Sequence, residues 1–344
     1  GEPTVHPLKF GVFDHLDRGA IPLAQYYEAR LRLIEMYDRA EFYAYHVAEH
    51  HATPLGMAPS PNLFLAAIAQ RTKKLRFGPM VYALTLYHPL RLAEEICMLD
   101  QMSQGRLELG FGRGASPHEI RIFGSDPDDA RELYQESLDI VLAALRNGHL
   151  DHKGKFFDMS DVPVALEPMQ RPHPPIWYGM HTVASAARAG ANGHHVISLD
   201  SADQTHDMTA AYNQAYGEAG HKARPNIGIG RFIVVGETDA EALAVARRAY
   251  PVWHQSFSYL FTYRGGPGPL HPRPADFDAM AASGRAVAGS PETVAKTMRA
   301  ELAISGANYL VGQLVFGDMS PGEAENSAAL FIEKVMPELA SLEN

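Results

Sequence analysis

Cysteine is almost absent: the 344-residue chain has one, Cys97. A lone thiol forms no internal disulfide, so a disulfide-stapled scaffold is excluded and a reducing compartment is expected. An excess of positive charge is missing too. Thirty Lys and Arg stand against 40 Asp and Glu, a formal charge of -10, which leaves no basic surface for a nucleic-acid backbone. No apolar run approaches the ~20 residues that span a bilayer. The opening Gly1-Glu2-Pro3-Thr4 has neither the basic nor the apolar region of a signal peptide. These absences predict a cytoplasmic protein with neither nucleic acid nor membrane as partner.

What is present is apolar sequence in short, regularly spaced pieces. At this length two domains or one α/β barrel are both open, and the pattern decides between them. Strand-like stretches at 8–13, 42–47, 75–84 and 107–111 alternate with helical stretches at 23–40, 60–70, 90–102 and 131–146. The last helix carries Leu133, Leu138, Val141, Leu142 and Leu145 on one face. After a less regular stretch at 147–175, strands at 176–178, 196–199, 227–235 and 309–316 alternate with helices at 182–189, 204–219, 239–250 and 323–339. About eight βα repeats predict a (β/α)8 TIM barrel with insertion loops, one domain over 1–344. Residues 265–274 have seven Gly or Pro in ten and form a loop. It follows an aromatic stretch (Trp253, Phe257, Tyr259, Phe261, Tyr263) and is expected to act as a lid around 262–288; a plain surface excursion is the alternative.

Three clusters could carry chemistry. Glu49-His50-His51 lies just beyond a strand, on the catalytic face of a barrel, where imidazoles exchange protons near neutral pH. One of the two histidines is expected to be chemical and the other to pair with Glu49. The same residues spell His46-x-x-Glu49-His50, an inverted zinc-peptidase pattern, which needs a helix to bring both imidazoles to one ion; the strand-like context argues for no metal. Next, the run 104–115 places glycines around Arg113, free for an anionic or polarised ligand atom unless a surface ion pair takes it. Gly110-x-Gly112-x-x-Ala115 also fits a loose dinucleotide fingerprint, weakened by Pro117 and by its late position in the chain. Third, a strand turns through Gly179 toward Thr182, whose helix start could hold a phosphate or be an ordinary N-cap.

Taken in order, LKFGVF at 8–13, AEHH at 48–51, HPLRLAEEICMLDQMSQGRLELGFGRG at 88–114, IRIFG at 120–124, PPIWYG at 174–179, GSPETVAKTM at 289–298 and GANYLVGQLVFGD at 306–318 resemble the bacterial luciferase-like flavin monooxygenases over nearly the whole chain. The resemblance implies a barrel that binds reduced FMN, supplied by a separate flavin reductase, and uses O2 through a flavin C4a-peroxide to oxidise a small organic, apolar substrate. It places the acid/base role on His50, beside Glu49, with Glu119 at an acidic position near the site. Flavin or phosphate contacts fall on Arg113, Gly114 and Ala115, a non-proline cis peptide against the flavin on Met80-Val81, and the phosphate cradle on Gly179, Met180, His181 and Thr182. A homodimer is implied as well. Two departures stand out. Light-emitting members carry Cys where this chain has Gly112, which argues against light emission. The phosphate turn is short, which leaves open a deazaflavin (F420) oxidoreductase, and a non-catalytic flavin-binding partner subunit is a further alternative.

Overall fold

The computed structural model describes residues 6–114 and 116–342. Most of its barrel strands are short, apolar runs buried on both faces. β1 (Lys9–Asp14) leads to α1 (Leu23–Arg39), and β2 (Ala44–Val47) to α2 (Pro61–Arg71). β3 (Arg76–Pro79) and its continuation β4 (Tyr82–Ala83) lead to α3 (Pro89–Met102). β5 (Leu109–Gly112) is followed by the short α4 (Pro117–Ile122) and the long α5 (Ala130–Asn147), then by the hairpin β6 (His149–Lys153) and β7 (Asp158–Pro163). The second half runs β8 (Ile176–Gly179), α6 (Val183–Ala191), β9 (His195–Ser198), α7 (Ala202–Glu218), β10 (Ile227–Val235) and α8 (Asp239–Thr262). Then come α9 (Phe277–Ala282), β11 (Ala286–Gly289), α10 (Pro291–Ser305), β12 (Tyr309–Gln313), α11 (Pro321–Leu330), a π-helical turn Phe331–Val335, and α12 (Met336–Ala340).

Nine parallel strands form a nearly closed barrel in the order β3-β2-β1-β12-β10-β9-β8-β5-β4. β3 and β4 are two segments of one stave, parted at the cis peptide Met80–Val81, and a bridge from Phe77 to Leu107 joins β3 to the approach of β5. That gives the eight repeats expected. Helices close the outside with apolar stripes at helical spacing; α1, for instance, buries Tyr26, Arg30, Leu33, Ile34 and Tyr37.

Inside the barrel, Phe13, Ala48, Trp177, Ile197, Tyr309 and Val311 form a separate apolar cluster. Below it a polar plug closes the N-terminal end. Glu108 takes Trp177 Nε1 at 2.7 Å, Arg76 Nε at 2.6 Å and Tyr43 OH at 3.2 Å. With that end filled, ligands are left the C-terminal end.

Four segments depart from the sequence expectations. Residues 147–175 hold the antiparallel hairpin β6–β7, whose exposed polar alternation hid it. α8 runs to Thr262 through Pro251, because Ala249, Tyr250, Trp253 and Leu260 keep a buried face that outweighs the proline break. β11 and α10 form an extra strand and helix, with β11 pairing along β10 from Phe232 to Val235. The expected lid stretch 262–288 contains α9 and the start of β11, so its irregular part is 266–276.

Candidate active site

The site is assembled from strand ends. A cavity of about 250 Å³ opens at the C-terminal end of the barrel, between Phe13 near the end of β1, Ala48 to His50 after β2, Met80 and Val81, Gly114 after β5, Gly179 at the end of β8, and Leu199 after β9. Its walls are mainly apolar, with Glu49, His50 and His181 as the titratable groups. An apolar slot with a few convergent polar groups is the usual form of a ligand site.

The two neighbouring histidines are separated by their partners. His51 Nε2 lies 2.6 Å from Glu49 Oε2, and the other Glu49 oxygen accepts from Ala83 N at 3.1 Å and Tyr87 OH at 2.7 Å. Glu49 is therefore a clamp that ties β2 to β4 and fixes His51, rather than a free carboxylate. His51 N in turn donates to Glu119 Oε2 at 2.8 Å. His50 differs. Its Nδ1 is buried with no hydrogen-bond partner, 3.6 Å from Glu119 Oε2, and Glu119 Oε1 is likewise unpartnered. An imidazole nitrogen and a carboxylate thus stand close together in a buried setting without satisfying each other, an exception to the rule that buried polar groups are hydrogen-bonded.

The zinc alternative fails on geometry. Residues 44–47 are strand, and His46 turns inward to Tyr309 OH at 2.9 Å, where burial pushes its imidazole down to about 3.

Around β5, Arg113 is exposed and has no ion-pair partner among the described residues, so the surface-pair alternative is not realised; its carbonyl is held by Thr85 Oγ1 at 2.6 Å. Gly114, at φ 110, faces the cavity. Ala115 lies outside the described residues. Gly112 is explained by packing: a side chain there would collide with Val81 Cγ2. Met80 and Val81 both line the cavity and share the expected cis peptide.

The phosphate-cradle expectation needs correction at Met180. Its side chain is buried in a cluster with Ala186, Ala189 and Val196, and its amide donates to Ile197 O at 3.0 Å. Met180 is core. Thr182 is the N-cap of α6 in a capping box: its hydroxyl accepts from Ser185 N at 3.0 Å, while Ser185 Oγ accepts from the amides of Thr182 at 3.1 Å and His181 at 3.3 Å. Gly179 and the His181 ring remain at the cavity wall.

One residue of this end was passed over in the sequence. His15, directly after β1, stacks on His50 with centroids 6.1 Å apart and planes 19° apart. Trp253 Nε1 donates to its Nδ1 at 3.2 Å, and Gln313 Nε2 lies 3.0 Å from the same atom. An indole N–H only donates, so Nδ1 is unprotonated and the proton sits on Nε2. Burial, reinforced by His50 and Arg273, holds His15 well below the usual imidazole range, so it stays neutral. The signal was available: His15 follows a barrel strand as His50 does.

Among the described residues no helix is long and apolar enough to cross a membrane. The model of the luciferase-like monooxygenase family matches residues 8–309. An uncharacterized protein of Sinorhizobium fredii is 43% identical over 95% of both chains. The oxygenase component of the flavin-dependent trigonelline monooxygenase of Acinetobacter baylyi is 30% identical over 74% of this chain and 72% of that one. In fold, the chain superposes with a TM-score of 0.81, at 22% identity and over 97% and 99% of the two chains, on the oxygenating constituent of 3,6-diketocamphane monooxygenase from Pseudomonas putida in complex with FMN. From its strand-end histidines to its barrel, the chain belongs to the luciferase-like monooxygenase family.

Proposed function

We propose that this protein is a monooxygenase that uses reduced FMN and O2 to oxidise a small, largely apolar organic molecule. One oxygen atom enters the substrate, the other leaves as water, and the reduced flavin supplies two electrons. The observation that carries the reading is His50: an imidazole with a buried, unpartnered Nδ1 at the edge of an apolar strand-end cavity, backed by Glu119. Kinship with a flavin-dependent oxygenase component and a fold shared with an FMN complex support it.

The residues present fit a flavin. Gly114 and Gly179 leave room for a flat ring against Met80 and Val81, and Arg113, exposed and without an ion-pair partner among the described residues, is available to a phosphate. When bound, reduced flavin supplies the electrons that activate O2. The chain's own residues orient it, exclude water through Phe13, Ile197 and Leu199, and hold or move a proton at His50. Glu49 positions His51 beside that proton path. By kinship with an oxygenase component, a separate reductase delivers the flavin; the working unit is a homodimer, and the compartment is the cytoplasm.

The test is anaerobic titration with photoreduced FMN, followed by an oxygen pulse under absorbance monitoring and product analysis with candidate substrates. Saturable binding and oxygen transfer support the assignment. Binding of reduced deazaflavin with no binding of reduced FMN would replace it with hydride transfer, and indifference to both would leave a non-catalytic partner.

A further inference from the structure

Beside the 250 Å³ cavity lies a second of about 50 Å³, and Leu199 lines both. It is roomy enough for water or for a carboxylate, since a single water needs about 10–15 Å³ of such space. Its polar wall consists of His15, Gln313, Arg273 and Arg285; Trp253 and Phe257, stacked at 5.1 Å and 13°, are part of its apolar wall.

The two arginines set this cavity apart. Of the chain's other arginines held away from solvent, Arg30 pairs with Asp14 at 2.5 Å, Arg76 with Glu108 at 2.6 Å and Arg231 with Glu301 at 2.7 Å, while Arg106, without a carboxylate, donates to four backbone carbonyls and Thr72 Oγ1. Arg273 and Arg285 are half-buried, yet among the described residues neither has a carboxylate within 4.0 Å. Arg273 Nη1 donates to His271 O at 3.0 Å and Arg285 Nε to Ser283 Oγ at 2.9 Å, both neutral acceptors. The guanidiniums repel each other, and Asp200 only partly offsets that from a distance. A protein with ten more acids than bases has left two cations unpaired around one small hole, although a desolvated cation without a counter-charge is costly. A bound anion removes that cost, and an Arg fork matches a carboxylate in particular.

We infer that the smaller cavity is the substrate's recognition subsite and takes a carboxylate, held by Arg273 and Arg285, on an apolar or aromatic body. This rests on the oxygenase reading, since that reading makes the larger cavity the flavin's. The body lies toward Leu199, where the two cavities adjoin, and His15, neutral with its proton on Nε2, offers a further donor at the same wall. The flavin phosphate has a different candidate in Arg113, on the β5 side of the larger cavity.

The experiment uses the purified full chain with benzoate, benzamide and inorganic phosphate as probes, read by tryptophan fluorescence and thermal shift, and separate anaerobic titrations with photoreduced FMN and photoreduced riboflavin. Benzoate should bind and benzamide should not. R273Q and R285Q should each weaken benzoate binding by about 10- to 100-fold, R273K should restore part of it, and FMN affinity should be unchanged in all three. Far-UV circular dichroism checks that each variant is folded. Equal binding of benzoate and benzamide overturns the inference, as does benzoate binding that ignores both substitutions or no benzoate binding at millimolar concentration. If both variants weaken FMN and spare riboflavin, the arginines hold the flavin phosphate and the subsite is refuted. Inorganic phosphate displacing benzoate with equal affinity marks an adventitious ion only and refutes the carboxylate preference. Failure of photoreduced FMN to bind under anaerobic conditions, with benzoate behaving as stated, would sink the oxygenase reading and leave the anion site standing.

Discussion

His50 Nδ1 and Glu119 Oε2 stand 3.6 Å apart, within ion-pair reach and outside hydrogen-bond geometry, and neither His50 Nδ1 nor Glu119 Oε1 has another partner. Glu119 is fixed from its other side by the amide of His51. The carboxylate is thus held still while the imidazole beside it keeps an unassigned hydrogen-bonding site. That asymmetry is what a proton-transfer position requires and what a packing histidine, with both nitrogens satisfied, would lack.

His50→Ala should therefore lower oxygenation turnover by about 10²- to 10⁴-fold while reduced-flavin affinity changes little. Single-turnover kinetics with saturating reduced FMN separates the two. Unchanged turnover would remove His50 from the chemistry. Glu119→Gln keeps an acceptor for the His51 amide but loses the charge facing His50, so it should impair turnover more than stability.

Glu49 makes the opposite case. Its two oxygens hold His51, the Ala83 amide and the Tyr87 hydroxyl at once, so Glu49→Ala frees three groups in a buried setting. The expected loss is about 2–4 kcal/mol of stability, read from the urea midpoint. Glu49→Gln retains an acceptor for Ala83 and Tyr87 and should lose less. A Glu49→Ala protein with native stability and abolished turnover would reverse the assignment and make Glu49 chemical.

How far the sequence reached follows from these contacts. The barrel was legible because each strand is a short apolar run and each helix an amphipathic one, and the strand-end rule led straight to His50 and to Arg113. The same rule pointed at His15, but a lone histidine after a strand carries no local sign of the Trp253 and Gln313 side chains, some 240 and 300 residues away, that fix its tautomer. Met180 was misplaced because position in a turn does not say which way a side chain faces. The helix expected over 239–250 runs on through Pro251 because the burial of Trp253 and Leu260 against distant parts of the chain carries it. Arg273 sat unnoticed within the Gly/Pro-rich loop, since an unpaired cation is visible only once its neighbours are known.

At the closed end of the barrel, Arg76 is the cation partner of a carboxyl that burial raises above its usual range. Arg76→Ala leaves Glu108 with only the Trp177 and Tyr43 donors, an uncompensated buried charge costing about 3–5 kcal/mol. The double variant Arg76→Ala/Glu108→Gln should recover part of that loss, because the charge goes with its partner. Urea unfolding of the four proteins of this cycle measures the coupling; additive effects would show that the pair is not linked.

Asp17 gives a pH dependence with a definite sign. Burial raises its carboxyl from 3.8 to about 7, against the opposing pull of the Gly317 amide and Arg30. The folded chain therefore binds this proton more tightly than the unfolded one. The group's contribution is fully present below pH 4 and is lost as pH rises toward 7, by an amount on the order of 4 kcal/mol at ~1.4 kcal/mol per unit. Asp17→Asn removes the ionisation and keeps an acceptor for Gly317 N. Its stability relative to the parent should rise between pH 4 and pH 8; a difference that stays flat across that range would show that Asp17 does not titrate there.

The last expectation concerns the loop over both cavities. Tyr250 OH donates to Pro274 O at 2.7 Å, His254 Nε2 lies 2.8 Å from Arg273 O, and the His271 ring stacks on His181 at 5.4 Å and 15°. One stretch thus reaches the wall of the larger cavity through His271 and supplies Arg273 to the smaller. Its outer part has no such anchors: Leu270 is 93% exposed, and Arg264 holds a left-handed φ of 54°. Trypsin should therefore nick the native chain after Arg264, whereas Arg273 is followed by Pro274 and resists. If the stretch is a lid, FMN together with benzoate engages Arg273, draws the loop onto the barrel end and slows the Arg264 cut several-fold relative to FMN alone. R273Q should abolish that protection while leaving the unliganded cleavage rate as it was. Equal cleavage with and without both ligands would make residues 266–276 a surface excursion that only happens to carry Arg273.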